Sequence, residues 1–311
     1  MQPGSTGRAY LTGDKILLSG ASGMLGTAIR HSLSESGAEL VQLVRRAPAA
    51  PGEVQWNPLD ETPLATPQAL EGARAAIHLS GANVAARRWT AAYRREMTAS
   101  RTGSTRALCR VLTGLSHPPQ VLLVASAVGI YGNRGEEVLD EDSAPGTGFL
   151  ADLCRAWEKT ARPAAAAGMR VVNLRFGMVL GPGGALGKML PLFRMGLGGK
   201  MGNGRQWMSW VGIEDVVAAV RFLLETPSLE GAVNVTAPHP VRNAEFTRAL
   251  SARLHRPALL PVPAFALRVA VGKMADEALL TSARAMPKRL LEAGFRFTQP
   301  NVEDALAAAI Q

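Results

Sequence analysis

The chain has 311 residues, 47% of them apolar and 19% charged, which suits a globular protein with room for two domains and excludes a disordered one. Two cysteines exclude a disulfide scaffold, and no run approaches the roughly eighteen apolar residues of a membrane span. The net charge is +9, but the arginines are scattered from Arg30 to Arg296 and only 5% of residues are aromatic, which argues against a nucleic-acid partner.

Met1–Asp14 has no apolar core behind a basic start, so it reads as a loose tail and not as a secretion leader. Lys15–Ser19 is a short apolar run followed at once by glycines, the pattern of a buried parallel strand. Met24–Ser36 carries Leu25, Ile29 and Leu33 on one helical face and stops at Gly37. Leu40–Val44 is a second strand, and the proline-rich stretch Arg46–Thr66 is loop with at most a short strand near Val54. Ala75–Leu79 and Val121–Ala127 are further strands, with a long helical stretch, Arg87–Leu115, between them. Phe149–Gly168 reads as helix and Arg170–Leu174 as strand. Beyond Gly181 the pattern turns irregular, with a glycine-rich stretch at Gly196–Gly204, a strand at Val233–Val235, a helix at Asn243–His255 and an extended segment at Arg256–Pro263.

Strands alternating with helices predict βαβ units on a parallel sheet, an α/β fold of the doubly wound Rossmann kind. The predicted division is a tail (1–14), a nucleotide-binding domain (15–180, with returning segments near 205–235) and a small α+β C-terminal domain (mainly 181–311) covering the substrate. Cys109 and Cys154 fall in apolar helical patterns and are expected to be buried thiols in a reducing cytoplasm.

Gly20-Ala21-Ser22-Gly23-Met24-Leu25-Gly26 is a G-x-x-G-x-x-G loop between a strand and a helix. In that context the glycines permit a tight turn, bring main-chain N–H groups up to a pyrophosphate and let the helix pack on the strand, while the helix N-terminus favours the negative charge. The end of the second strand selects the cofactor. Nineteen residues after Gly26 stand Arg45 and Arg46, with no acid where an NAD site places one, so paired guanidiniums point to the 2′-phosphate of NADP(H). The competing reading of the two arginines is a solvated basic turn.

Further motifs narrow the reading. They include Leu79-Ser80-Gly81, Arg88-Trp89, Ser100-Arg101, Trp157-Glu158, the run Arg175–Gly181, Leu186–Pro191, Gly202–Gln206 ahead of Trp210-Val211, and Met286–Arg289 ahead of Gly294-Phe295. With the glycine loop they make the chain resemble an atypical extended short-chain dehydrogenase/reductase of the "epimerase family protein" branch, sometimes labelled a cell-division-inhibitor homologue. The resemblance implies an NADP(H)-dependent oxidoreductase. It implies that Gly20, Ser22, Gly23, Met24, Leu25, Gly26, Arg45 and Arg46 hold the adenosine half, and that Leu79, Ser80 and Gly81 pass over the ribose. It also places Arg101 against the cofactor with Glu96 as its partner, and Val179 beside the nicotinamide. Gly212 stands where the branch usually has histidine.

The superfamily's proton donor, a tyrosine in Y-x-x-x-K, occurs nowhere, and Leu150 and Cys154 stand at its two positions. The remaining catalytic candidates are Ser126, to orient a carbonyl, and Tyr131, to supply a phenolic proton. Against these stand a strand-end hydroxyl bonded locally and a packed tyrosine with its hydroxyl satisfied. Asp152 and Glu158 are six apart, off one helical face, which argues against a paired-carboxylate site, and no histidine spacing suggests a metal. The expected function is an NADP(H)-binding oxidoreductase acting on a small carbonyl-type molecule, with no membrane or nucleic-acid partner. The alternative is a catalytically silent NADP(H)-binding sensor or partner-binding module.

Overall fold

Apolar runs too short for helices become parallel strands covered on both faces, as a doubly wound sheet requires. The computed structural model describes residues 11–60 and 62–310. Strands β1 (Lys15–Ser19), β2 (Glu39–Val44), β3 (Glu53–Gln55), β4 (Ala75–His78), β5 (Val121–Ala127), β6 (Arg170–Phe176) and β7 (Gly231–Val235) form one seven-stranded sheet. Their order is β7-β6-β5-β4-β1-β2-β3, and every pairing is parallel. The order reverses between β1 and β4, which opens a crevice at the carboxyl ends of those strands.

Helix α1 (Met24–Glu35) packs with α6 (Ile213–Glu225), tied by Arg221 to Ser32 at 3.2 Å. The other face carries α2 (Ala91–Thr113), α3 (Phe149–Thr160) and the short α4 (Arg162–Ala166), with Trp157 Nε1 donating to Thr105 Oγ1 at 3.0 Å. Ile29 and Leu33 of α1 are buried against the sheet, each worth about 1.5–3 kcal/mol. The helical stretch expected over 149–168 breaks at Ala161, because Pro163 in the first turn of α4 lacks the N–H that a continuous helix would use.

One polar residue enters this core. His78 is fully buried, with Nδ1 2.6 Å from Ser19 Oγ and Nε2 3.1 Å from Ser104 Oγ, and burial drives its pKa down to about 3. It is a satisfied core residue. Burial likewise pushes the thiols of Cys109 and Cys154 up to about 11, so both stay protonated and unreactive at neutral pH.

The C-terminal part builds a second core. Helices α5 (Gly184–Arg194), α7 (Asn243–Leu254) and α10 (Val302–Ala309) close around Leu186, Phe193, Trp210, Phe246, Leu250 and Leu306. Asp215, fully buried at the start of α6, accepts from Thr298 N, Thr298 Oγ1 and Gln299 N at 2.7–2.9 Å and so pins the C-terminal segment to the sheet domain. Helices α8 (Ala264–Val271) and α9 (Lys288–Glu292) lie outside that core: α8 buries no residue, and Leu290 of α9 joins the core of the sheet.

Part of the stretch read as a loose tail is packed. Leu11 is buried, and Asp14 pairs with Arg74 while its carbonyl accepts from Glu39 N at 2.9 Å. Residues 1–10 lie outside the described residues. Among the described residues no helix is long and apolar enough to cross a membrane, and no cluster of three or more His, Cys, Asp or Glu is placed to hold a metal ion.

Candidate functional site

The glycine loop sits at the sheet's switch point, and its three glycines are required for different reasons. Gly20 has φ +77°, and a Cβ there would lie 2.9 Å from the carbonyl carbon of Leu79, so the loop presses directly on the main chain leaving β4. A Cβ on Gly26 would fall 2.1 Å from the Gly20 oxygen, which makes this glycine the contact that seats α1 on the strand end. Gly23 has an ordinary φ of −76°, and the nearest atom to a Cβ there is 3.5 Å away, so the fold itself does not demand glycine.

Gly23 is also the N-cap of α1. No side chain caps the helix and its first turn carries no acid, so the N–H groups of Met24, Leu25 and Gly26 keep the partial positive charge of a bare helix start. Ser22 is exposed beside them, and Met24 reaches across to Gly183 and Gly184 at the start of α5. An uncapped helix N-terminus behind a glycine with free space in front of it is the form of a diphosphate cradle.

Arg45 and Arg46 follow β2 at the edge of the crevice, both exposed. They are not equivalent. Arg46 forms a two-pronged ion pair with Glu53 at 2.7 and 2.5 Å, and that hydrogen bonding holds the Glu53 carboxyl down at about 2. Arg45 has no carboxylate partner among the described residues. The pair of free guanidiniums expected from the sequence is therefore one free and one engaged, because β3 folds Glu53 back alongside β2.

Leu79 leaves β4 with its N–H on Ser19 O at 3.1 Å, and Leu79 and Ser80 are half-buried where Gly81 is exposed. Against this loop lies the Arg101 guanidinium: a Cβ on Gly81 would be 3.2 Å from both its Cγ and its Cζ. Arg101 is only 9% exposed, donates to Met97 O at 3.2 Å and stacks 5.0 Å from the Trp157 ring centroid. Burial lowers its pKa, with partial opposition from Cys154 and Tyr93, and among the described residues no carboxylate pairs with it. Burying a cation without a counter-charge costs on the order of several kcal/mol, which the Met97 carbonyl and the Trp157 ring offset in part. The expected partnership with Glu96 is not formed. Glu96 is exposed and pairs with Arg87 at 3.5 Å, since five residues along a helix turn two side chains well away from each other.

The catalytic candidates are placed differently from the sequence expectation. Ser126 and Arg175 stand opposite each other on β5 and β6, on the face that α3 covers. Ser126, 3% exposed, donates to Glu158 Oε1 at 2.7 Å; Arg175 binds both oxygens of Glu158 at 2.9 and 3.0 Å, and its Nη1 reaches the Tyr131 hydroxyl at 3.0 Å. Tyr131 is fully buried, its hydroxyl 2.8 Å from both Asp140 O and Asn234 Oδ1, which share its one proton; burial raises its pKa. Neither hydroxyl is positioned to serve a substrate, because each is consumed by a buried polar network. The other described tyrosine, Tyr93, donates to Asn83 O. Tyr131→Phe is accordingly expected to lower stability by about 1–3 kcal/mol in a denaturant titration, from the acceptors it strands, and to leave NADPH affinity unchanged.

Val179 lies in the short strand Met178–Leu180, half-buried and opposite Val211. Cys154 stands at the position of the superfamily lysine, buried, its thiol protonated and too weak an acid to give up that proton at neutral pH. Gly212, where the branch usually has histidine, meets Gln299: a Cβ would fall 1.8 Å from its Oε1, and Gln299 Nε2 donates to Glu214 at 2.7 Å. The space beside Gly212 is filled from the C-terminal segment. The Glu158–Arg175 pair is the feature that residue-by-residue reading passed over. Its signal lay in the recurring Trp157-Glu158 and Arg175 motifs.

Fold and crevice together define a Rossmann protein of the extended dehydrogenase/reductase class. Residues 16–236 match the NAD dependent epimerase/dehydratase family, and residues 262–309 match a domain of unknown function, DUF1731. The chain belongs to the NAD dependent epimerase/dehydratase family. It is 43% identical over 295 residues to an epimerase family protein of Mycobacterium bovis, covering 94% of this chain and 97% of that one. It is 36% identical to the epimerase family protein YfhF of Bacillus subtilis, over 95% and 97% of the two chains. The crystal structure of human epimerase family protein SDR39U1 (isoform 2) with NADPH superposes with a TM-score of 0.87 at 31% identity, over 95% of this chain and 98% of that one.

Proposed function

We propose that this protein binds NADP(H) and acts as an oxidoreductase on a small carbonyl-type compound. The observation that carries the proposal is the set of unanswered positive groups around one crevice: the bare N-terminus of α1 behind Gly23, exposed Arg45 and buried Arg101. These groups fit a dinucleotide with a diphosphate and a 2′-phosphate, and the related human structure with NADPH supports the same reading. When bound, the cofactor supplies the hydride. Gly23 and the first turn of α1 would hold the diphosphate, Arg45 the 2′-phosphate, and the loop Leu79–Gly81 with Arg101 the stretch nearer the nicotinamide.

The chain's own residues narrow the substrate. Both described tyrosines and Ser126 have their hydroxyls bonded within the protein, and Cys154 replaces the lysine. Suitable substrates need little help from a side-chain acid, which favours quinones and conjugated carbonyl compounds over simple ketones. The same facts favour, as a second reading, an NADP(H)-binding module without turnover. Two buried protonated thiols suit a reducing compartment such as the cytoplasm.

NADPH oxidation against a panel of aldehydes, ketones and quinones separates the two. Turnover concentrated on quinones and conjugated carbonyls is the expected result, and tight NADPH binding without turnover on any member would establish the silent module. For the cofactor, Arg45→Ala is expected to weaken NADPH by about 10- to 100-fold in a fluorescence titration while NADH changes little. Equal weakening of both would refute the 2′-phosphate assignment.

A further inference from the structure

Exposed apolar side chains are concentrated on one part of the C-terminal region. Of the eleven large apolar side chains exposed among the described residues, seven fall in two segments, 192–197 at the end of α5 and 259–269 running into α8. Leu259 is 83% exposed, Val269 72% and Phe265 68%, and α8 has no buried residue at all. The segments are neighbours. Val262 N donates to Lys200 O and Gly202 N to Val262 O, both at 2.9 Å, and a Cβ on Gly199 would fall 1.7 Å from Leu260 O. A grouped apolar surface of this kind marks a face that something covers.

Charge selects what covers it. Residues 182–205 and 256–275 contain seven lysines and arginines and no acid. Arg268 is neutralised from outside by Asp276, but Arg194, Lys200, Arg256 and Lys273 have no carboxylate partner among the described residues. A second copy of the chain would set these cations against their own kind, which disfavours a self-interface. Exposed Phe, Leu, Met and Val flanked by an excess of lysine and arginine, with Asp276 taken up by Arg268, match the headgroup boundary of an anionic bilayer, where apolar side chains insert and the cations meet lipid phosphates. We propose that this face docks peripherally on anionic lipid. It adjoins the crevice, since α5 begins against Met24 and Arg88, after β4, donates to Val269 O at 2.9 Å.

The test is co-sedimentation of the full chain with vesicles of phosphatidylglycerol and phosphatidylcholine, and with vesicles of phosphatidylcholine alone. Binding to the anionic vesicles is expected to be at least about tenfold tighter and to fall in about 1 M sodium chloride. Lys200→Glu with Lys273→Glu should weaken it by more than roughly 25-fold, at about fivefold for each cation lost. Phe265→Ser with Val269→Ser should weaken it on both salt conditions alike. NADPH titration of both double variants should match the unaltered protein, which shows that they fold and keeps this result separate from the cofactor reading. Equal or absent binding to the two vesicle types would overturn the proposal. So would self-association in sedimentation velocity that the Phe265→Ser/Val269→Ser variant abolishes, which would give the face to a second copy.

Discussion

Gly26→Ala is expected to remove tight NADPH binding, by about 100-fold or more, from a protein that still folds. The added Cβ would lie 2.1 Å from the Gly20 oxygen and 2.7 Å from the Ala21 Cα, and both are main-chain atoms that no rotamer change can move aside. Helix α1 must therefore shift off the end of β1, carrying the N–H groups of residues 24–26 out of register with a diphosphate. Overpacking of this kind costs about 1–3 kcal/mol, offset in part by alanine's better helix propensity of about 1 kcal/mol. The melting temperature should fall modestly while affinity collapses, because hydrogen bonds to charged groups depend steeply on alignment.

Gly23→Ala is the informative companion. Its Cβ would meet nothing closer than 3.5 Å, at an ordinary φ, so thermal stability should be unchanged. NADPH affinity should still fall, since the methyl group would occupy the space in front of the bare helix start. If Gly23→Ala bound NADPH like the unaltered protein, the open face of the loop would not be the diphosphate cradle. The two glycines thus separate what the fold needs from what the ligand needs.

The sheet and its glycine loop are legible because their signals are local. A strand, three glycines and a helix stand within twenty residues of each other, and the physical reason for each glycine can be stated from its spacing. The end of β2 was legible only in part. Arg45 and Arg46 are adjacent in sequence, yet the partner that distinguishes them, Glu53, arrives through a β2–β3 pairing that no local pattern reveals. The same holds for Arg101, whose burial depends on Trp157 coming across from another helix. Ser126 and Tyr131 read as available hydroxyls in the sequence, because chain position gives the end of a strand but not the face a side chain takes there, and the structure buries both. Ser126 faces α3, and Glu158, 32 residues away, claims it.

That network yields the other large effect. Glu158→Ala and Arg175→Met are each expected to destabilise the protein by about 3–5 kcal/mol, read from urea midpoints, because either change strands a buried charge. The side chains are 14% and 8% exposed, so solvent offers little relief. Burial opposes the Arg175 charge, but the two hydrogen bonds and the charge of Glu158 outweigh it and hold the guanidinium above its ordinary pKa. The double variant Glu158→Met/Arg175→Met should lose much less than the sum of the single changes, since it removes both charges and fills the space with apolar volume. Ser126 and Tyr131 then keep fewer partners, which sets the residual loss at about 1–2 kcal/mol. NADPH affinity should survive in the double variant, because none of the four residues belongs to the glycine loop or to the arginines around it. Losses that simply add would show that Glu158 and Arg175 act independently, and would return the Ser126 and Tyr131 hydroxyls to the list of groups free to meet a substrate.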